Sequence, residues 1–375
     1  MTSHLGRPQA GGTLQRTRRN TVTMKNPHQS RPVTRRRSHA ARLGMASAVA
    51  VLAAAVGCSS SSSSGAGGAA KTASGLSTIR LVYDWPGVDF EAVPIAVGQK
   101  EGFYKQHGVN VDLVIPPNNA TTVKLLAVGK GDIGLDSTVD VAFARAAQIP
   151  IVSIANYTQE NNWGLVANPG TSINLSSLRG KSIGVFTDSW TKAMMPYVLK
   201  AGNVSASDVK QIIFTSDDLT PMLANKINIA TNTTNFAIAQ VQSATGKKPS
   251  VTLATKFGAP NVPIWVWVAT SSWLSANGAQ ARAFLAATKE AIAWSIAHPQ
   301  AAVNDFTAAY PQNGSSAKYN LDGWLATIPY LNDGYGLLTQ RASEWTQTVN
   351  ALKSVNLLPT SYPASTYYSN EYLGG

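Results

Sequence analysis

"TIRLVYDWPGVDFEAVPIAVGQKEGFYKQHGVNVDLVIP", residues 78–116, decides the fold. β-Branched residues crowd "TIRLVYDW" (78–85) and "VNVDLVIP" (109–116), which read as strands. Between them "AVPIAVGQKEGFYKQHG" (92–108) has a helical pattern closed by Gly108. The alternation continues with a helix in "NATTVKLLAVGKG" (119–131), a strand in "DIGLDS" (132–137), a helix in "TVDVAFARAAQ" (138–148) and a strand in "IPIVSIANYT" (149–158). Strands and helices that alternate in this way build parallel sheets flanked by helices.

Pro, Gly and Ser cluster in "ANPGTSINLSSLRGK" (167–181), and a second series starts beyond them. "SIGVF" (182–186), "VKQIIFT" (209–215) and "INIATNT" (227–233) read as strands, with helices near 190–202, near 218–226 and from about Asn235 to Gly246. "IWVWVATSSWL" (264–274) reads as a strand returning to the first series. The segment from Ala279 to His298 then places Phe284, Leu285, Thr288, Ala291, Ile292 and Ser295 on one helix face, and Pro299 ends it. The expectation is an α/β protein of two lobes with two chain crossings: 76–168 in lobe 1, 169–263 in lobe 2, and 264–375 back in lobe 1.

Charge separates the leader from this folded part. All ten Lys and Arg before Cys58 stand in a stretch without Asp or Glu, so of 31 basic and 19 acidic residues the remainder keeps 21 and 19. Ten of the twelve formal positive charges therefore belong to the leader, the remainder is nearly neutral, and a nucleic-acid-binding role is excluded. A basic segment ending in Arg35, Arg36, Arg37 and Arg42, an apolar run from Leu43 to Val56 and the small residues Ala55 and Gly57 have the order of a secretory signal (1–57). Met24 is an alternative start. Cys58 is the only cysteine and precedes six serines, so 58–75 reads as a Ser/Gly/Ala-rich tether and no disulfide can staple the fold.

Two resemblances follow from these residues. Ala55-Val56-Gly57-Cys58 is similar to the lipobox of bacterial lipoproteins, with Ala55 in place of the usual leucine; it implies lipidation of Cys58 and anchoring on the outer face of the cytoplasmic membrane. The order "LVYDWPG…PIAVGQKEGFYKQHGVNVDLV…LLAVGKGDIGLDST…LRGKSIGVF" resembles the solute-binding proteins of ABC importers for sulfonates, nitrate, taurine and thiamine precursors. Asp84-Trp85, "TNTTNFAIAQ" (231–240) and the terminal "YYSNEYL" (367–373) are most similar to binding proteins for thiamine pyrimidine precursors, which are related to the eukaryotic pyrimidine synthases. The resemblance implies a type II periplasmic-binding-protein fold that closes on a small molecule, with an ABC permease and its ATPase as partners and a monomeric chain. A sulfonate, nitrate, taurine-type or riboflavin-type ligand is the alternative.

The implied cleft lies at the carboxyl ends of strands, where ligands gather in open α/β sheets. Candidates there are Asp84, Trp85, Asp89, Ser137, Thr187, Asp188, Ser189, Trp190, Asn232 and Asn235. Trp85 offers a face for stacking on a heterocycle or a side chain for the core. Asp84 suits a ligand donor or a loop brace, and Asp188 or Ser189 suits a ligand or the helix N-cap. The resembled family carries a glutamate where Ala237 stands, and Asp89, Glu91 and Glu160 are the carboxylates that could replace it. Asn161, Asn162, Trp163, Trp265 and Trp267 are further candidates.

An anionic ligand favours an arginine clamp, but beyond Cys58 only Arg80, Arg145, Arg179, Arg282 and Arg341 remain, none of them in the stretches assigned to the cleft. "GKSIG" (180–184) matches the G-x-S-x-G pattern, yet Ser182 precedes a strand where a nucleophile elbow needs strand, serine, helix. His107 and His298 are the histidines after Cys58 and form neither a triad nor a zinc set, and the cysteine motif of the eukaryotic synthases is missing. The expectation from these residues is binding without catalysis, with no metal and no cofactor.

Overall fold

The computed structural model describes residues 75–214, 216 and 218–374. The leader, Cys58 and the serine run lie outside the described residues. Among the described residues no helix is long and apolar enough to cross a membrane.

The first sheet contains β1 (Ser77–Val82), β2 (Val109–Val114), β3 (Ile133–Ser137) and β4 (Ile151–Asn156). The second contains β5 (Trp163–Ala167), β6 (Ser182–Phe186), β7 (Lys210–Phe214), β8 (Ile229–Thr233) and β9 (Ser250–Leu253). β10 (Trp265–Thr270) returns to the first, giving the orders β2-β1-β3-β10-β4 and β7-β6-β8-β5-β9. β1 runs parallel to β2 and β3, and β6 runs parallel to β7 and β8. Each sheet also receives one strand next to a chain crossing that runs antiparallel to its neighbours: β10 against β3 and β4, β5 against β8 and β9. The sheets are therefore mixed rather than purely parallel.

The helices in chain order are α1 (Val93–Lys100), α2 (Phe103–Gln106), α3 (Thr122–Ala127), α4 (Thr138–Ala146), α5 (Ser189–Ala201), α6 (Thr220–Leu223), α7 (Thr234–Thr245), α8 (Ser271–Ala297), α9 (Pro299–Ala309), α10 (Ala317–Thr327) and α11 (Ala342–Ser354). The helix expected over 92–108 is broken at Gly102, whose φ of 80° leaves the helical region and starts α2. α3 and α6 are shorter than their sequence patterns, and α8 starts at Ser271, with non-helical Asn277 dividing it.

The first crossing comes earlier than the composition suggests. β5 pairs Trp163 with Thr233 and Ala167 with Ser250, so the chain leaves the first sheet between Asn156 and Trp163. The Pro/Gly/Ser cluster is a loop inside lobe 2. Turn residues mark a loop, but sheet membership is decided by ladder partners distant in sequence.

The packing between α1, α2, α8 and the first sheet is aromatic. Tyr104 stacks on Phe284 with centroids 5.7 Å apart, and Trp267 meets Phe284 edge-on at 5.4 Å. A smaller cluster around Val166, Phe214, Met222 and Ala237 fills lobe 2. Gly323 on α10 lets that helix close on Phe90, since a Cβ there would stand 2.4 Å from the Phe90 ring. Phe90 is flanked by Asp89 and Glu91, so this contact supports one wall of the cleft.

Candidate functional site

A cleft of ≈ 560 Å³, mouth included, opens between the lobes. Lobe 1 supplies Asp84 and Trp85 after β1, Asp89 and Glu91 around the short turn before α1, and Asn119 after β2. Lobe 2 supplies Phe186 at the end of β6, Asp188, Trp190 and Thr191 at the start of α5, and Asn232, Thr233 and Phe236 where β8 runs into α7. Trp163, Ile264 and Trp265 complete it beside the two crossings. Trp85 meets Phe186 across the cleft at 6.3 Å and 65°, while Phe90 and Phe236 approach to 4.6 Å.

Of the candidates read from the sequence, Asp84, Trp85, Asp89, Asp188, Trp190 and Asn232 line the cleft. Asp188 also caps α5, its Oδ1 accepting the Thr191 N–H at 2.6 Å, so the cap reading holds for a side chain that stands in the cleft wall. Ser137, Thr187, Ser189 and Asn235 are not among the lining residues. Ser137 caps α4 by accepting the Asp140 N–H at 3.0 Å, and Thr187 is exposed. Ser189 donates to Asp140 at 2.6 Å. The Asn235 amide is already used: its Nδ2 donates to Glu91 Oε1 at 2.7 Å and to Thr327 Oγ1 at 3.0 Å, and its Oδ1 accepts from Asn162 at 3.1 Å. Asn235 thus ties lobe 2 to a cleft carboxylate.

Ala237 is buried in the lobe 2 core, and of the three carboxylates that could replace its missing glutamate, Asp89 and Glu91 line the cleft while Glu160 does not. Among the further candidates Trp163 and Trp265 line it, whereas Trp267 packs in the core against Phe284 and Tyr157. Asn161 accepts the Trp163 N–H and donates to the Pro260 carbonyl, bracing the crossings against each other. Phe186, Phe236, Asn119, Thr191, Thr233 and Ile264 were not expected. Phe186 and Asn119 follow the strand-end rule; Phe236 and Ile264 carry no sequence signal beyond being apolar.

The two walls differ in chemistry. On lobe 1 the polar groups are mainly carboxyls: Asp84 and Glu91 are buried, and Asp89 is half-buried. Burial pushes the Asp89 carboxyl up to about 6, against the opposing bonds from the Glu91 N–H and the Tyr83 hydroxyl, each at 2.8 Å. On lobe 2, Asn232 Nδ2, Thr233 Oγ1 and Trp190 Nε1 are buried polar atoms without a hydrogen-bond partner, and Trp265 Nε1 beside the crossing is another. Asn232 is 5% and Trp190 3% exposed, so water does not readily satisfy them. An unmet buried polar group costs about 1–3 kcal/mol. Four such groups stand around one cleft. No Lys, Arg or His is among the lining residues.

Solved structures resemble the chain in fold. The periplasmic nitrate-binding protein NrtA of Synechocystis PCC 6803 superposes with a TM-score of 0.63 at 14% identity, over 79% of this chain and 87% of that one. The periplasmic aliphatic sulphonate binding protein SsuA of Escherichia coli gives 0.62 at 15%, over 79% and 98%. The chain has the periplasmic-binding-protein fold, and at these identities the likeness concerns the fold alone. Residues 89–302 match the model of the family described as NMT1/THI5 like, and the chain belongs to that family.

Its relatives include a 4-amino-5-hydroxymethyl-2-methylpyrimidine phosphate synthase of Aspergillus parasiticus, 21% identical over 80% of this chain and 88% of that protein. A Haemophilus influenzae relative, whose name places it in thiamine biosynthesis, is 23% identical over 77% and 90%. The synthase name corrects the expectation of a protein without catalysis, because the curated relatives include enzymes. An absent triad or zinc set excludes only those two chemistries, and the cysteine motif of the eukaryotic synthases remains a difference between this sequence and those relatives.

Proposed function

We propose that the protein is an extracytoplasmic solute-binding component of an ABC importer, and that its cleft captures an unphosphorylated nitrogen heterocycle of the thiamine-pyrimidine-precursor type. The observation that carries this reading is the pairing of a carboxyl wall with a wall of unpartnered donors, without a basic residue in the lining. A flat ring with an amino edge toward Asp84, Asp89 and Glu91 and an acceptor edge toward Asn232, Thr233 and Trp190 satisfies both walls. Trp85 and Phe186 provide aromatic faces at the mouth. A sulfonate or nitrate finds no cation to balance its charge in this lining, which disfavours the anionic alternative.

Capture proceeds by lobe closure, with ligand affinity favouring the closed form. The lobes are 76–162 with 264–374, and 163–263. Lipid on Cys58 holds the monomer at the outer face of the cytoplasmic membrane, where a permease reads the closed form.

The names of the relatives favour a second reading, in which the same cleft holds a pyrimidine during its synthesis. Thermal-shift measurements with 4-amino-5-hydroxymethyl-2-methylpyrimidine, its phosphate, taurine, nitrate and riboflavin test the capture reading. It expects the unphosphorylated pyrimidine to raise the melting temperature most. A shift with taurine or nitrate and none with a heterocycle overturns it. Pyrimidine formation by the purified protein, followed by mass spectrometry, establishes the second reading.

A further inference from the structure

One member of the lobe 1 carboxyl wall is held from the other lobe. The backbone of Glu91 is fixed on both sides: its N–H donates to Asp89 Oδ1 at 2.8 Å, and its carbonyl accepts the Tyr157 hydroxyl at 2.7 Å. Its side chain is held by Asn235, in the first turn of α7, whose Nδ2 donates to Glu91 Oε1 at 2.7 Å. Asn235 is 0% exposed and does not line the cleft, so it acts on a solute only through what it holds.

The neighbours set the direction of this bond. Thr327 spends its single hydroxyl proton on the Gly323 carbonyl at 2.8 Å, so toward Asn235 it accepts, at 3.0 Å. On the other side Asn162 Nδ2 donates to Asn235 Oδ1 at 3.1 Å. The Asn235 amide therefore stands with its nitrogen toward Glu91 and Thr327 and its oxygen toward Asn162. Turned over, it would set oxygen against oxygen at Glu91 and nitrogen against nitrogen at Asn162. Glu91, Thr327 and Asn162 all belong to lobe 1, so the amide is fixed where the lobes meet, beside the Phe90–Phe236 contact. A hydrogen bond donated to a carboxylate favours its ionised form, which accepts and cannot donate.

We propose that Asn235 is a positioning residue which, through Glu91, fixes the hydrogen-bond polarity of the cleft, so that the solute taken is a ring with an amino group at this edge and an analogue with only acceptors there is refused. An acceptor placed against Glu91 leaves two buried acceptors without a proton between them. A site built to bond a substrate N–H discriminates strongly against the analogue that lacks it. The inference rests on the capture reading and narrows its substrate class. Asp84 and Asp89 stand in the same wall, and variants of Glu91 and Asn235 separate their share.

Titration calorimetry with 4-amino-5-hydroxymethyl-2-methylpyrimidine and its 4-methoxy analogue, which has no N–H at that edge, tests the proposal. The wild type is expected to prefer the amino compound by about tenfold or more, and Asn235→Leu to lose most of that preference. In Glu91→Gln the new amide keeps its oxygen on Asn235 and turns its nitrogen to the cleft, so the preference vanishes. Adding Asn235→Leu to Glu91→Gln frees that amide to rotate, and binding of the amino compound recovers by about threefold or more. The same Asn235 substitution thus weakens amino binding in one background and strengthens it in the other, whereas a merely structural role weakens both compounds in both. Melting curves establish that each variant folds; if Asn235→Leu does not, Thr327→Val, which removes the acceptor that orients the amide, takes its place with a smaller fall in preference. An undiminished preference in the Asn235 or Thr327 variant, equal losses for both compounds, or no recovery in the double variant overturns the positioning role and leaves capture standing. If the wild type binds neither compound, the capture reading fails and the inference falls with it.

Discussion

The two lobes share a sheet plan and oppose each other in chemistry. Each sheet sets three parallel strands beside an antiparallel strand adjoining a crossing, so the ends of β1 and β6 reach the cleft in equivalent ways. The end of β1 presents Asp84 and Trp85, and beyond it Asp89 and Glu91 add carboxyls. The end of β6 presents Phe186 and Asp188, and nearby Asn232, Thr233 and Trp190 hold unpartnered groups. On the proposed reading, equivalent backbones serve a ligand with two different edges, and specificity lies in the side chains that each strand end carries.

The largest expected effect breaks the lobe 1 wall at its aromatic face. Trp85→Ala is expected to weaken the best ligand by about 1–3 kcal/mol in calorimetry, by analogy with base–aromatic stacking. Unchanged affinity would assign Trp85 to packing against Phe186 alone. Gly323→Ala reaches the same wall from behind: its methyl meets the Phe90 ring, and overpacking of about 1–3 kcal/mol exceeds the helix-propensity gain of about 0.5–1 kcal/mol. Denaturant unfolding should show net destabilisation of about 1–2 kcal/mol, and an unchanged midpoint would mean that Phe90 moves freely.

Asp89 sharpens the comparison through pH. Its carboxyl is raised in the folded protein, so ionisation disfavours the fold as pH climbs from the ordinary value of 3.8 through about 6. Asp89→Asn removes that cost and should stabilise the protein at pH 8 by about 1–2 kcal/mol, the two-unit shift being reduced by partial solvent screening. Near pH 4 the gain disappears. Melting curves at both pH values check the sign, and equal gains at both would remove burial of the charge as the cause. The smallest effect is on lobe 2: Thr233→Val replaces an unpartnered buried hydroxyl with a methyl and should stabilise the ligand-free protein by up to about 1 kcal/mol while weakening ligand binding. A loss in both would make the hydroxyl structural.

The alternation around residues 78–116 made the α/β plan legible, and the position of Asp84-Trp85 at a strand end made one wall legible with it. β5 escaped assignment to lobe 2 because its partners, Thr233 and Ser250, are distant in the chain. Asn235 has the chemistry of a ligand contact, yet its amide is committed to Glu91, Thr327 and Asn162, a state fixed by packing rather than residue type. Residue type alone offers Asp89, Glu91 and Glu160 in place of the carboxylate missing at Ala237, and only the folded chain brings Asp89 and Glu91, on the other lobe, into one cleft with Asn232.

The central claim is that opposed acid and donor walls select an uncharged or cationic heterocycle. Titration calorimetry of one aminopyrimidine and its phosphate ester, which differ only in the anionic group, tests it most directly. The account predicts that the unphosphorylated compound binds and that the phosphate binds at least tenfold more weakly, about 1.4 kcal/mol; equal or tighter binding of the phosphate contradicts it.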